Sequence, residues 1–290
     1  MLKGRTNFLF ILPTLILFGI FTLGPALWGF NISLHDYKLV GESPFIGFQN
    51  YGRVIGDPFF WNAFKNTIIF ALVVIPGQVI LGLFFAFLLT EKIKGRGIFR
   101  TIYFIPVLTS WAIVSLVWMW IFAGTRSGLI NSVLWTTGVI AEPIPWLGSA
   151  STAMLTLMLL WIWKGLGWSM LIFLAAMQAI PESIYESAKI DGAGWWRRFR
   201  YISLPSIAPT IAIVTALVTG GALIGSFTPF YIMTKGGPLG STETIATYMY
   251  KHGVQFMNLG YGAAIVYFVL PICLLIAFIQ IRSLSREAKF

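Results

Sequence analysis

Acidic side chains are scarce in this sequence, and none lies inside a long apolar run. The ten are Asp36, Glu42, Asp57, Glu91, Glu142, Glu182, Glu186, Asp191, Glu243 and Glu287. Proton coupling across a membrane usually needs a carboxylate within a span, so a proton-coupled carrier lacks its usual group here. Cysteine is rarer still. Cys273 stands alone, which excludes a disulfide within the chain and a Cys-rich metal site. It lies in the last apolar run and reads as a packed or lipid-facing thiol. Histidine occurs only at His35 and His252, and neither a metal-ligand cluster nor a nucleophile motif accompanies them. An intramembrane enzyme is therefore disfavoured. No G-x-x-x-x-G-K-[ST] stretch is present to cradle ATP phosphates.

What is abundant is apolar. Hydrophobic residues make up 57% of the chain and charged ones 10%, where soluble domains carry roughly 25% charged residues. This is the composition of an all-α polytopic membrane protein. A net charge of +10 on a soluble domain would suggest a nucleic-acid partner, which requires a basic patch. Here the bases sit in short segments between apolar runs, so the partner is the lipid bilayer and no nucleic acid is expected.

Six runs, at 7–34, 66–90, 101–123, 151–177, 207–230 and 259–281, are each long enough for a hydrocarbon core that needs about 20 residues. They make residues 1–290 a single transmembrane domain. Lys3 and Arg5 precede the first run, which is too long for a secretory signal and lacks a small-x-small cleavage site. One set of flanking segments holds Lys3, Arg5, Lys92, Lys94, Arg96, Arg100, Lys189, Arg197, Arg198, Arg200, Arg282, Arg286 and Lys289. The opposite set holds Lys38, Arg53, Lys65, Arg126, Lys235 and Lys251. Thirteen against six places both termini in the cytoplasm by the positive-inside rule.

The longest hydrophilic stretch on that side is 181–205, containing ESAKIDGAGWWRRFRYISLP from Glu186 to Pro205. Pro181 suits a first helical turn, and Glu182 suits the positive helix end. Ile184, Tyr185 and Ala188 form a small apolar stripe. Gly192 is expected to end this helix and Asp191 to cap a second one over 193–199. The stretch resembles the cytoplasmic EAA loop of bacterial ABC importer permeases, whose pattern is E-A-A, two residues, D-G-A, five residues, F, two residues, I, one residue, L-P. Glu186, Ala188, Asp191, Gly192, Ala193, Phe199, Ile202, Leu204 and Pro205 fall on it in register, with Ser187 replacing one alanine. The resemblance implies that this loop, Tyr185 included, docks in a cleft of an ATP-hydrolysing subunit. Without that resemblance it reads as an amphipathic connector on the membrane surface.

Segments on the other side extend the likeness. They are Phe48 to Tyr51, Asp57 to Asn62, Gly128 to Asn131, and Thr234 to Pro238 with Thr242, Thr244, Tyr248 and Tyr250 following. In this order they look like the maltose- and glycerol-phosphate-type permeases. That likeness implies a type I importer fold and a heterodimer with a second, related permease. It also implies two ATPase subunits carrying ATP and Mg, and an external solute-binding protein. This chain itself would bind no cofactor. The solute implied is a sugar, an oligosaccharide or glycerol phosphate, moved by alternating access in a bacterial inner membrane. The other class is an autonomous secondary transporter or channel, coupled through Na⁺ at backbone carbonyls or not coupled at all.

Within the spans, Lys164 is the one charge well inside a run. A charge there is functional by default or snorkels to the headgroups, and both readings stand at this point. Trp163 and Trp168, with Thr109, Ser110 and Trp111, have the rings and hydroxyls that suit a sugar path. Equally, such rings face lipid or form interfacial belts. The resemblance adds Ser226 and Thr228. Gly221 and Gly225 suit close helix packing, against a partner permease or within this subunit. Pro76, Pro106 and Pro209 are expected to kink or end helices.

Overall fold

The computed structural model describes residues 2–38, 41–90 and 95–287. Lys92, Lys94 and Lys289 of the orientation count lie outside the described residues. Among the described residues the chain is mostly helical, with no named strand. The helices are α1 (Leu2–Phe18), α2 (Gly24–Ser33), α3 (Gln49–Gly56), α4 (Pro58–Leu88), α5 (Arg96–Leu108), α6 (Trp111–Ile121), α7 (Leu129–Thr136) and α8 (Ala150–Gln178). Then follow α9 (Glu182–Ile190), α10 (Trp195–Arg198), α11 (Leu204–Ser206), α12 (Ala208–Ile224), α13 (Phe227–Met233), α14 (Ile245–Tyr250) and α15 (Leu259–Glu287). Three π-helical turns, Gly19–Leu23, Phe199–Ser203 and Lys251–Gln255, lie between or after them.

Four helices are long and apolar enough to cross a membrane, or six if each of two bent pairs is one span. One bent pair is α5 with α6, meeting at 103°, and the other is 195–206 with α12, meeting at 74°. The run expected over 207–230 divides again, since α12 stops at Ile224 and α13 begins at Phe227. The prolines act unequally. Pro106 sits in the last turn of α5 and Pro209 in the first turn of α12, but α4 runs on through Pro76. A helix tolerates such a proline when the freed carbonyl is satisfied elsewhere.

The chain divides into two compact units. The first comprises Met1–Phe60 and Tyr248–Ile272. Here Asn50, buried in α3, donates from its amide to the carbonyls of Ser33 and His35, both at 3.0 Å. This ties α3 to the end of α2. Asp57 caps α4 by accepting from the Phe59 amide at 2.9 Å, and Pro58 at the first helical position has no N–H to waste. The same carboxylate accepts from the Tyr248 hydroxyl at 2.5 Å and the Tyr261 hydroxyl at 2.6 Å.

Burial works against the Asp57 charge, but those two hydroxyls and the amides of Phe59 and Phe60 outweigh it, holding the carboxyl below its ordinary value. A carboxyl lowered by folding stabilises the fold above its unfolded pKa of about 3.9 and loses that contribution as pH falls through the folded value. Burial, then Asp57 itself, pushes the Tyr248 phenol up, so it stays a proton donor. Asp57→Asn is therefore expected to lower the melting temperature of the detergent-solubilised chain at pH 7. The gap to the native chain should narrow as pH falls to about 4 and below. Equal melting temperatures at pH 7 would remove Asp57 as a clasp.

The second unit comprises Trp61–Thr247 and Cys273–Phe290. Its helices approach closely at small residues. A Cβ on Gly167 of α8 would fall onto the Tyr103 carbonyl of α5, and one on Gly165 would fall onto the Gln78 amide. Lipid supplies no hydrophobic drive between helices, so such close packing and interhelical hydrogen bonds must hold them. Gln78 provides the latter, donating to the Gly165 carbonyl at 3.0 Å and the Ser169 hydroxyl at 2.8 Å. Gln280 likewise donates to Thr219 at 2.9 Å. Two apolar clusters fill this unit. One contains Phe87, Met170, Phe173 and Phe199, and the other contains Phe70, Trp161, Leu157 and Phe230.

Candidate functional site

The 181–205 loop is built as a rooted lever. Pro181 is the N-cap of α9, one position before the first turn in which it was expected. The helix ends at a left-handed residue, Gly192, with φ of 71°. The Ala193 amide donates back to the Ala188 carbonyl at 2.8 Å, and the Gly192 amide donates to Lys189 at 3.1 Å. That pair of bonds is a Schellman turn, which sets a glycine after the C-cap and brings the residues on either side together. Asp191 is thus the C-cap of α9, and the expectation that it caps the second helix is incorrect. Gly194 holds that place, without any side-chain cap, and the second piece is α10 followed by the π-turn 199–203. Ala188 and Ala193 are the two residues bonded across the turn.

Aromatic rings root this lever. Trp195 and Phe199 pack on Phe87 of α4 with centroids 5.0 and 4.8 Å apart, contacts worth about 0.5–1.5 kcal/mol each beyond their burial. The Tyr185 hydroxyl bonds the Ser203 hydroxyl at 2.8 Å, joining α9 to the returning chain. None of the nine residues of α9 is buried. Glu186 and Ser187 are exposed, and Ile190 is 87% exposed. Pro205 falls in α11, just before the apolar helix α12 begins.

The second candidate site is a cavity of about 220 Å³ in the second unit. Gln78, Val107, Trp111, Trp161, Lys164, Gly165, Trp168, Leu217, Val218 and Gly221 line it. Of the residues singled out in the sequence for a solute path, Trp111, Lys164 and Trp168 reach this cavity, and Gly221, expected to pack against another helix, lines it as well. Trp163 does not. It packs at 5.5 Å on Trp118 and is 45% exposed. Thr109 turns its hydroxyl back to the Ile105 carbonyl at 3.3 Å. Ser110 caps α6 through the Ala112 amide. Ser226 is buried at the break between α12 and α13, its hydroxyl without a partner. Thr228 lies two residues further on, and neither residue lines the cavity.

Lys164 neither snorkels nor stands free. It is 4% exposed, and its ammonium donates to the Pro106 and Thr109 carbonyls, each at 2.6 Å. Trp161 and Gln78 escaped the reading of the sequence. Gln78 carried a usable signal, an amide well inside an apolar run. Trp161 carried none that distinguished it from Trp163.

A family model described as the binding-protein-dependent transport system inner membrane component matches residues 78–286. The trehalose/maltose transport system permease protein of Thermococcus litoralis is 34% identical over 98% of this chain and 96% of its own. The lactose transport system permease protein of Rhizobium radiobacter is 34% identical over 98% of this chain and 95% of its own. Among solved structures, a chain from a bacterial ABC transporter involved in the import of the acidic polysaccharide alginate is similar, with a TM-score of 0.83. It is 25% identical, over 98% of this chain and 96% of that one.

Proposed function

Because the chain belongs to the inner-membrane component family of binding-protein-dependent transport systems, we propose that it moves a sugar or oligosaccharide inward as one half of an ATP-driven importer. The chain is a transport component and not a catalyst. Its partners are a second, related permease, two ATPase subunits that bind ATP and Mg, and an external binding protein that delivers the solute. Both termini and the 181–205 loop face the cytoplasm. Closure of the ATPase pair on ATP draws the two coupling loops together and turns the cavity outward.

One observation carries this reading. The helix α9 has no buried residue, yet its base is held by the Gly192 turn and the Tyr185–Ser203 bond, and the segment after it packs through Trp195 and Phe199 on Phe87. A short helix fixed at its base and bare on its outer face is shaped to sit in another protein's cleft. Glu186 on that face offers a charge-assisted hydrogen bond, stronger than a neutral one. The cavity supports the sugar class, since its lining joins the rings of Trp111, Trp161 and Trp168 to the polar side chain of Gln78, a mixture that suits a sugar's apolar and polar faces. At about 220 Å³ it is smaller than the roughly 300–1,000 Å³ of sites that enclose a drug-sized ligand. An oligosaccharide is thus engaged by part of its length or after the helices part.

Proximity of α9 to the ATPase is tested by crosslinking. In a Cys273→Ala background, Ser187→Cys is expected to crosslink to a co-expressed ATPase through a short bis-maleimide, whereas Val139→Cys is not. A crosslink from position 139, or none from 187, would contradict the assignment.

A further inference from the structure

The third span is broken where the cavity wall is made. Between α5 and α6 the chain turns through 103°, and only Thr109 and Ser110 separate the two helices. A helix end leaves carbonyls without intrahelical partners, and within a bilayer such groups must be satisfied by protein. Lys164 of α8 does so from 58 and 55 residues away, taking the Pro106 carbonyl in the last turn of α5 and the Thr109 carbonyl just beyond it. A cation at a helix C-terminus is also favoured by the helix dipole.

The same ammonium stands 4.8 Å from the centre of the Trp111 ring. Trp111 is the first residue of α6, so its position is set directly by the break. Its ring stacks on Trp161 with centroids 4.5 Å apart and planes 26° apart. Trp161 precedes Lys164 by three residues on α8, so both share one helix face. Two of the three ammonium protons are held by carbonyls, and the remaining side of the group meets an aromatic face.

We infer that Lys164 is a positioning residue for solute passage: by holding the break at 106–109 it fixes the Trp111–Trp161 stack as one wall of the cavity. This rests on the reading of that cavity as the solute path. It assigns the buried charge a role that needs no counter-carboxylate and no contact between the lysine and the solute.

A double-mutant cycle in the full complex, reconstituted in vesicles with its ATPases and binding protein, tests this. The probe is whichever of maltose, trehalose and lactose the complex takes up fastest, at saturating binding protein and normalised to assembled complex. Lys164→Met is expected to lower the maximal uptake rate about tenfold, the size of a strong coupling within one contact network. In a Trp111→Leu background the same change is expected to matter less than about twofold, because the group it positions is gone. Lys164→Arg, which keeps donors and charge, is expected to recover most of the rate. If Lys164→Met does not assemble, Lys164→Gln takes its place in the cycle.

A loss of equal size in both backgrounds would mark Lys164 as a general structural residue and overturn the inference. So would an unchanged rate in Lys164→Met. Trp168→Ala separates the two layers. If it lowers uptake while the cycle is additive, only the role of Lys164 falls. If Trp168→Ala also leaves uptake unchanged, the cavity is not the path. If none of the three sugars is taken up, the sugar reading falls, and the inference with it.

Discussion

Replacing Gly192 by valine is expected to leave the membrane helices folded and to cut the ATPase recovered with the permease about tenfold. Gly192 has φ of 71°, and a Cβ built there meets nothing within 4 Å. The penalty is therefore conformational and not steric contact with neighbours. An L-residue in the left-handed region costs roughly 1–2 kcal/mol, and β-branching makes it worse. Opening the turn releases the Ala193–Ala188 and Gly192–Lys189 bonds, which define the angle at which α9 leaves the bundle. A change of about 1.4 kcal/mol in the presented orientation corresponds to the tenfold loss. Gly192→Asn is the control, since asparagine is the next most common residue at this helix-ending position, and it should keep most of the ATPase. Full ATPase recovery and full uptake with Gly192→Val would remove the turn from the coupling path.

Trp168→Ala is expected to reduce solute uptake about tenfold, the loss of one well-formed aromatic contact together with its buried area. Co-purification of the ATPase should be retained, because the 181–205 loop is held on Phe87 through Trp195 and Phe199 and the turn at Gly192 is untouched, whereas Trp168 lines the cavity. Trp163→Ala is the informative comparison. The two tryptophans lie on one helix, but Trp163 packs on Trp118 away from the cavity lining. Its removal should change uptake less than about twofold. Uptake rates in reconstituted vesicles, normalised to permease content, decide the matter. Equal losses for both residues would show that the wall of this cavity has no special part in passage.

The turn in the 181–205 loop was legible in the sequence because its determinants are local. The left-handed Gly192 and the residues bonded across the turn fall within six positions, whereas the Phe87 ring on which the loop packs lies on α4 and has no local signal. The error at Asp191 is local too. An acidic residue beside a glycine suits the end of one helix as well as the start of the next, and here the Schellman bonds place it at the end. The breaks beside Pro106 and Pro209 were legible as prolines in apolar runs, whereas the continuation of α4 through Pro76 and the break between Ile224 and Phe227 were not. Pro76 and Pro106 look alike as prolines in apolar runs. They differ in that α4 continues through one, while α5 ends just after the other and hands its carbonyls to Lys164. That partner lies 58 residues on, and no local pattern announces it. The same holds for Gln78, whose partners are 87 and 91 residues away. Which of Trp161 and Trp163 faces the cavity depends on where α5 and α6 pack on α8, a fact of tertiary structure with no trace in the spacing of the two rings.

ATP hydrolysis on a separate subunit is proposed to drive transport through this chain. This is tested most directly by reconstituting the permease pair in vesicles with and without the ATPase, and with binding protein and solute outside. The expected result is solute uptake only when ATPase and internal ATP are both present, abolished when ATP is replaced by a non-hydrolysable analogue. Uptake by the chain without the ATPase, driven by a Na⁺ or proton gradient or running down the solute gradient, would contradict it and identify an autonomous carrier.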